Sequence, residues 1–243
     1  MTGNQLKILA LVAMTLDHIG VVLLPQCVLL RAVGRLAFPI FAYMVAEGCF
    51  YTHSKRRYFG GMLVLGVVCQ AAYFIALGSL EQSIVTTLVL GMLTVFGMQH
   101  VAGGEGPARV FPLAGALALD VFMCLVLPAL LWHTDYSIDY GLVGVLLPAF
   151  VYLPRIFCPG LPDARRRLVT LVSLAVGLVL LAVELRFGLG QVQWFGLLAL
   201  VPLAFYNGAR GTWRLKYLFY IYYPAHLIVI WGIFLLLREL SLA

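Results

Sequence analysis

Nine stretches of this chain are apolar over lengths close to the ~20 residues that a helix needs to cross a bilayer. They run over 6–24, 29–50, 59–78, 83–100, 111–131, 140–156, 168–186, 191–206 and 217–238, the fourth, sixth and eighth being short. A backbone in lipid must satisfy its own hydrogen bonds, which leaves helices or a closed barrel. No strand-like alternation repeats at barrel spacing. The expected fold is therefore all-α: a polytopic transmembrane helix bundle of about nine spans, forming one integral membrane domain over 1–243. The chain is 63% hydrophobic and 11% charged, whereas a soluble domain carries about 25% charged residues.

The basic residues set the orientation. With a cytoplasmic N-terminus, the loops after even-numbered spans are cytoplasmic. Those loops hold Lys55, Arg56, Arg57, Arg109, Arg155, Arg165, Arg166, Arg167, Arg210, Arg214 and Lys216. The opposite side holds Glu81, Asp135, Asp139 and Glu184. The positive-inside rule then gives N-in and C-out. The net charge of +6 encodes orientation and contact with the lipid bilayer, not nucleic-acid binding.

Five ionisable residues interrupt this apolar pattern deep within spans: Asp17, His18, Arg35, His226 and Asp120, the last without an evident partner in the sequence. An intramembrane charge costs about 2.5–3.5 kcal/mol on insertion scales, so such residues have partners or a task. At ~1.5 Å per residue, Asp17 and His18 lie about 15–17 Å from the start of span one, and His226 about 15 Å above Lys216. Both spans run outward, so the two histidines reach one level. Arg31 and Arg35 stand one turn apart on one face of span two. Adjacent residues on a helix do not share a face, so Asp17 is expected to pair with Arg31 or Arg35, leaving His18 to find another orienting group. Pro224 lacks an N–H and should kink span nine near His226.

Nearer the cytoplasm, Glu47 closes span two. The last loop, Asn207-Gly208-Ala209-Arg210-Gly211-Thr212-Trp213-Arg214-Leu215-Lys216, combines glycines, donors and cations. Backbone donors with Lys and Arg suit a phosphate-bearing ligand. Tyr220 and Tyr223 sit just beyond it. The five cysteines are scattered without metal-ligand or redox spacing, and a packing role is expected for them. No HExxH, Walker A or Rossmann pattern occurs, so no metal is expected.

Landmarks in a fixed order carry a resemblance. They are Asp17-His18-Ile19-Gly20, Arg31-x-x-Gly34-Arg35-Leu36-Ala37-Phe38-Pro39, Glu47-Gly48, Thr52, Tyr58, Asp139-Tyr140-Gly141, Asn207-Gly208, Lys216 and Phe219-Tyr220-x-Tyr222-Tyr223-Pro224-x-His226. With these the chain resembles TraX, a family of membrane acetyltransferases whose best-known member acetylates the N-terminus of a conjugative pilin. Residues 84–134 carry no landmark.

The resemblance implies a single multi-pass acyltransferase domain in the bacterial cytoplasmic (inner) membrane. Acetyl-CoA is then the acyl donor, and pilin or another envelope substrate the acceptor. It implies that His18 is the catalytic histidine, acting as general base or as acetyl carrier. Asp17, Arg35 and His226 complete the catalytic group. Arg31, Glu47, Lys55, Asn207, Arg210, Arg214, Lys216, Tyr220 and Tyr223 are expected to bind donor or substrate. Two other readings stand beside it. One is a proton-coupled carrier, against which no pair of broken helices or inverted repeat is visible in the sequence. The other is a non-catalytic pilus or envelope assembly protein, which tolerates loss of His18.

Overall fold

The computed structural model describes residues 1–185, 190–212 and 216–242, with side chains throughout these except at 76, 77, 190, 216–219, 241 and 242. Its described residues are helical with no strand, apart from one isolated bridge between Gln82 and Ile138. The helices are α1 (Gly3–Val22), α2 (Val28–Gly34), α3 (Ala37–Tyr51), α4 (Lys55–Leu77), α5 (Ile84–Gly103), α6 (Phe111–Val121), α7 (Leu127–Leu130), α8 (Gly141–Phe157), α9 (Asp163–Glu184), α10 (Gly190–Gln193), α11 (Leu200–Ala204) and α12 (Lys216–Leu242). A π-helical turn, Phe122–Val126, joins α6 to α7, and a 3₁₀ turn, Trp194–Ala199, joins α10 to α11. Seven helical segments among the described residues are long and apolar enough to cross a membrane. Two shorter apolar helices, Gly141–Phe157 and Gln191–Ala204, fall on the sixth and eighth expected spans. The all-α bundle follows.

Two spans are interrupted, a feature that apolarity alone concealed. Span two is α2 plus α3, with a break at Arg35 and Leu36. Pro39 has no N–H to continue a helix from α2 and sits instead in the first turn of α3. Span eight is α10, the 3₁₀ turn and α11. In contrast, α12 runs through Pro224 without a break.

The helices gather into two compact units: Met1–Phe41 with Leu189–Ala243, and Ala42–Gly188. In the first unit, Thr2 and Gln5 form a reciprocal capping box at the start of α1. The remaining N–H groups of that end are met by the loop before α12. Gly3 donates to the Ala209 carbonyl (2.8 Å) and Asn4 to that of Arg210 (3.0 Å). Four N–H groups at a helix start have no intrahelical partner, which explains why this loop is pinned here.

In the second unit, α5, α8 and α9 pack through small residues. A Cβ at Gly91 would fall 2.5 Å from the Val145 carbonyl, so only glycine permits this approach of α5 to α8. Helices in lipid associate largely through such contacts. Charge is segregated along this unit. Lys55, His100 and the Glu47–Arg155 pair occupy one end. At the other, Leu80 N–H donates to Asp135 (3.1 Å), and Glu184 takes the N–H groups of Leu142 (3.1 Å) and Val143 (3.0 Å) at the start of α8. Hydrogen bonds from Ser79 and then Leu80 hold the Asp135 carboxyl below the usual carboxylate range.

Candidate functional site

The first unit contains all four of the expected catalytic residues. Asp17 leaves α1 toward α2, where Arg35 Nη2 donates to its Oδ2 at 2.5 Å and Arg31 Nε stands 3.4 Å from its Oδ1. The three side chains are only 10–16% exposed. Gly34 makes room for this pairing, since a Cβ there would occupy the position of the Asp17 side chain. The expected pairing of Asp17 with the arginines is present with both at once.

His18 leaves α1 on another face, toward α12. Its Nδ1 lies 2.8 Å from the Met14 carbonyl and 3.4 Å from Nε2 of His226. The His226 Nδ1 lies 3.0 Å from the Tyr222 carbonyl. A carbonyl only accepts, so both Nδ1 atoms carry a proton. In the neutral imidazoles His226 Nε2 is then bare and accepts from His18 Nδ1–H. The His18 Nε2 remains as a bare nitrogen with no partner among the described residues. The orienting group for His18 is therefore a backbone carbonyl one turn back, reinforced by a second histidine.

Aromatic rings hold His226 in turn. The Tyr222 ring stacks on it (centroids 5.4 Å apart, 9° between planes), and Tyr223 meets it edge-on at 5.6 Å. Thr15 donates to the Leu11 carbonyl (2.9 Å), so the Tyr222 hydroxyl donates to Thr15 Oγ1 (2.7 Å). His226 is 6% exposed.

Two members of this group were not expected from the sequence, Thr15 and Gln193, and a third, Tyr222, stands in the landmark series without a site role assigned to it. Thr15 lies one turn before His18, a spacing that could have suggested it. Gln193 is 4% exposed and takes Arg35 Nη1 on its Oε1 at 3.5 Å, while its Nε2 has no hydrogen-bond partner among the described residues. Its signal was an uncharged amide inside an apolar span, which a search confined to charges passes over.

The binding residues are distributed differently. Asn207 and Arg210 are exposed, and Asn207 Oδ1 accepts from Ala209 N–H (3.0 Å) in a local turn. Of the backbone N–H groups expected to cradle phosphate, that of Ala209 is thus committed to this turn and that of Asn207 to the Met1 carbonyl (2.9 Å), while the Ala209 and Arg210 carbonyls hold the start of α1. Arg210 lies within electrostatic range of Lys7. Tyr220 is part-buried. Arg214, and the side chain of Lys216, lie outside the described residues.

Glu47 and Lys55 belong to the second unit. Glu47 is buried and paired with Arg155, whose guanidinium lies 3.8 Å above the Phe50 ring. A Cβ on the neighbouring Gly48 would strike the Tyr58 ring, which accounts for the presence of both in the landmark series. Lys55 is exposed, with its ammonium 5.6 Å from the centre of the Phe96 ring. Asp120 is wholly buried and accepts from Thr94 Oγ1 at 2.5 Å. Among the described residues no group of three or more His, Cys, Asp or Glu could hold a metal ion.

Spans of this length and apolarity, enclosing a buried acid–arginine array and a histidine pair, define a polytopic α-helical membrane protein. The sequence pattern of the TraX protein family matches residues 2–234, and the chain belongs to that family. A protein of Dichelobacter nodosus named probable fimbrial assembly protein FimC, serogroup H1, is 27% identical over 252 residues, covering 93% of each chain. An uncharacterized protein of Rickettsia prowazekii (strain Madrid E) is 26% identical over 152 residues, covering 61% of this chain and 54% of that protein. No solved structure matches the chain.

Proposed function

We propose that this chain is an acetyltransferase of the bacterial cytoplasmic membrane. It takes acetyl groups from cytoplasmic acetyl-CoA and passes them to an acceptor at or beyond the membrane. The carrying observation is the His18 imidazole, oriented through Nδ1–H by Met14 and His226 and offering a bare Nε2. Family membership and the fimbrial name of the Dichelobacter relative favour a pilin-type N-terminal amine as acceptor.

In this reading His18 Nε2 takes a proton from the attacking amine as its nitrogen bonds to the thioester carbon. The C–S bond then breaks, and the proton passes to the departing sulfur. Arg35 and Arg31 outnumber the single Asp17 carboxylate, and this surplus positive charge suits a developing oxyanion. His226 is a positioning residue that fixes the tautomer of His18. Arg210, with Lys7 nearby, meets the donor's phosphates. A variant of the same chemistry places the acetyl group on His18 Nε2 before transfer. Rapid quenching followed by peptide mass spectrometry distinguishes the two.

The test is transfer from acetyl-CoA to an amine-bearing peptide by purified protein, read as one added acetyl mass. His18→Ala is expected to lower the rate by about 10²–10⁴-fold, the range of general-base catalysis, while the protein stays folded and still binds CoA. Wild-type rates in that variant would remove His18 from the mechanism and favour a non-catalytic assembly role.

The interrupted second and eighth spans favour one competing reading, a proton-coupled carrier, because discontinuous helices line many transport sites. Substrate uptake by protein-containing vesicles without acetyl-CoA would decide for the carrier.

A further inference from the structure

A cleft of about 470 Å³ opens in the second unit between α4, α5 and α6. Its wall is apolar, formed chiefly by Leu93, Phe96, Ala116 and Leu119, with Pro112 beside them. Two basic side chains, Lys55 and His100, line it together, and no acidic residue does. Both are exposed. Lys55 opens α4, where Ser54 accepts from Arg57 N–H and the helix start adds positive potential. Arg56 and Arg57 follow directly. The volume lies within the ~300–1,000 Å³ range of small-molecule sites.

From this complementarity we propose that the cleft binds an anionic phospholipid. One acyl chain lies along Phe96 and Leu119, and the phosphate rests against Lys55 and His100. The occupant must be amphiphilic, because a hydrophilic anion leaves the apolar wall unfilled and a zwitterionic headgroup makes poorer use of the Lys55 ammonium. The mouth lies at the basic end of the unit, where anionic headgroups gather. Lys55, expected among the ligands of donor phosphate, is thereby assigned to a lipid.

Gly115 supplies a clean test, because a Cβ built there meets nothing within 4 Å. Gly115→Leu fills the cleft without a backbone clash. Native mass spectrometry of detergent-purified protein is run with phosphatidylglycerol and with phosphatidylcholine of the same chains. The wild type is expected to retain phosphatidylglycerol at least about fivefold better, from about 1 kcal/mol per cation at an anionic surface. Lys55→Ala removes that preference, and Gly115→Leu abolishes retention with helical content unchanged. Equal retention of both lipids by the wild type overturns the proposal, as does wild-type behaviour in both variants. Displacement of the lipid by glycerol 3-phosphate or by acetyl-CoA also overturns it, identifying a free-phosphate or donor site instead.

Discussion

The Asp17–Arg35–Arg31 group illustrates what a buried charge requires of its neighbours. Within a span, each charge is tolerated through its opposite. Asp17→Asn leaves two arginines without a carboxylate, and removing one member of a buried pair costs about 3–5 kcal/mol. Thermal unfolding in detergent should show this loss, and adding Arg35→Gln should restore part of it. Gly34→Ala should perturb the same pair by a different route, displacing Asp17 with a methyl group. Overpacking of this kind costs about 1–3 kcal/mol. Gly60→Ala in α4, where a Cβ meets nothing within 4 Å, is the matched control and should be neutral or slightly stabilising. The charged members of this site were legible in the sequence because each stands out from an apolar run. Gln193 was not, because an amide scores as merely polar, and nothing in its own span identifies the arginine it meets.

At the scale of elements, apolarity shows that a segment crosses but not whether it crosses as one helix. Span two reads as a continuous apolar run, yet it breaks between Gly34 and Ala37, and Arg35 at that break reaches both Asp17 and Gln193. The Pro39 of the landmark series is the residue that could have marked the break. Pro224 carried the same signal in α12 and produced no break, because a surrounding bundle can re-satisfy the carbonyl that a proline frees. Caps supplied by a distant helix were equally hidden. Glu184 ends α9, but its carboxylate closes the start of α8 through two backbone N–H groups. Glu184→Ala should cost about 1 kcal/mol, the usual value of a lost cap. Hydrogen exchange should quicken at Leu142 and Val143 before it does so elsewhere in α8. Unchanged protection at those two amides would show that the cap is dispensable.

At the scale of the whole molecule, sidedness decides whether the proposed chemistry has access to its donor. The second unit gathers basic side chains at one end and Glu81, Asp135 and Glu184 toward the other, the distribution that the positive-inside rule associates with cytoplasmic and outer faces. Two native thiols report on this without engineered sites. Cys27 lies between α1 and α2, on the outer side in an N-in arrangement. Cys158 follows α8, on the cytoplasmic side. Both are free and part-exposed, whereas Cys49 and Cys69 are buried and Cys124, also part-exposed, lies inside the fifth span, away from a water-borne reagent. A membrane-impermeant maleimide applied to intact spheroplasts should therefore modify Cys27 alone. After permeabilisation it should modify Cys158 as well, and Cys27→Ser and Cys158→Ser assign the two adducts. The reverse order would place the N-terminus outside. Arg210 and the start of α1 would then face away from the cytoplasmic pool of acetyl-CoA, and transfer from that pool through His18 would fail on topology alone.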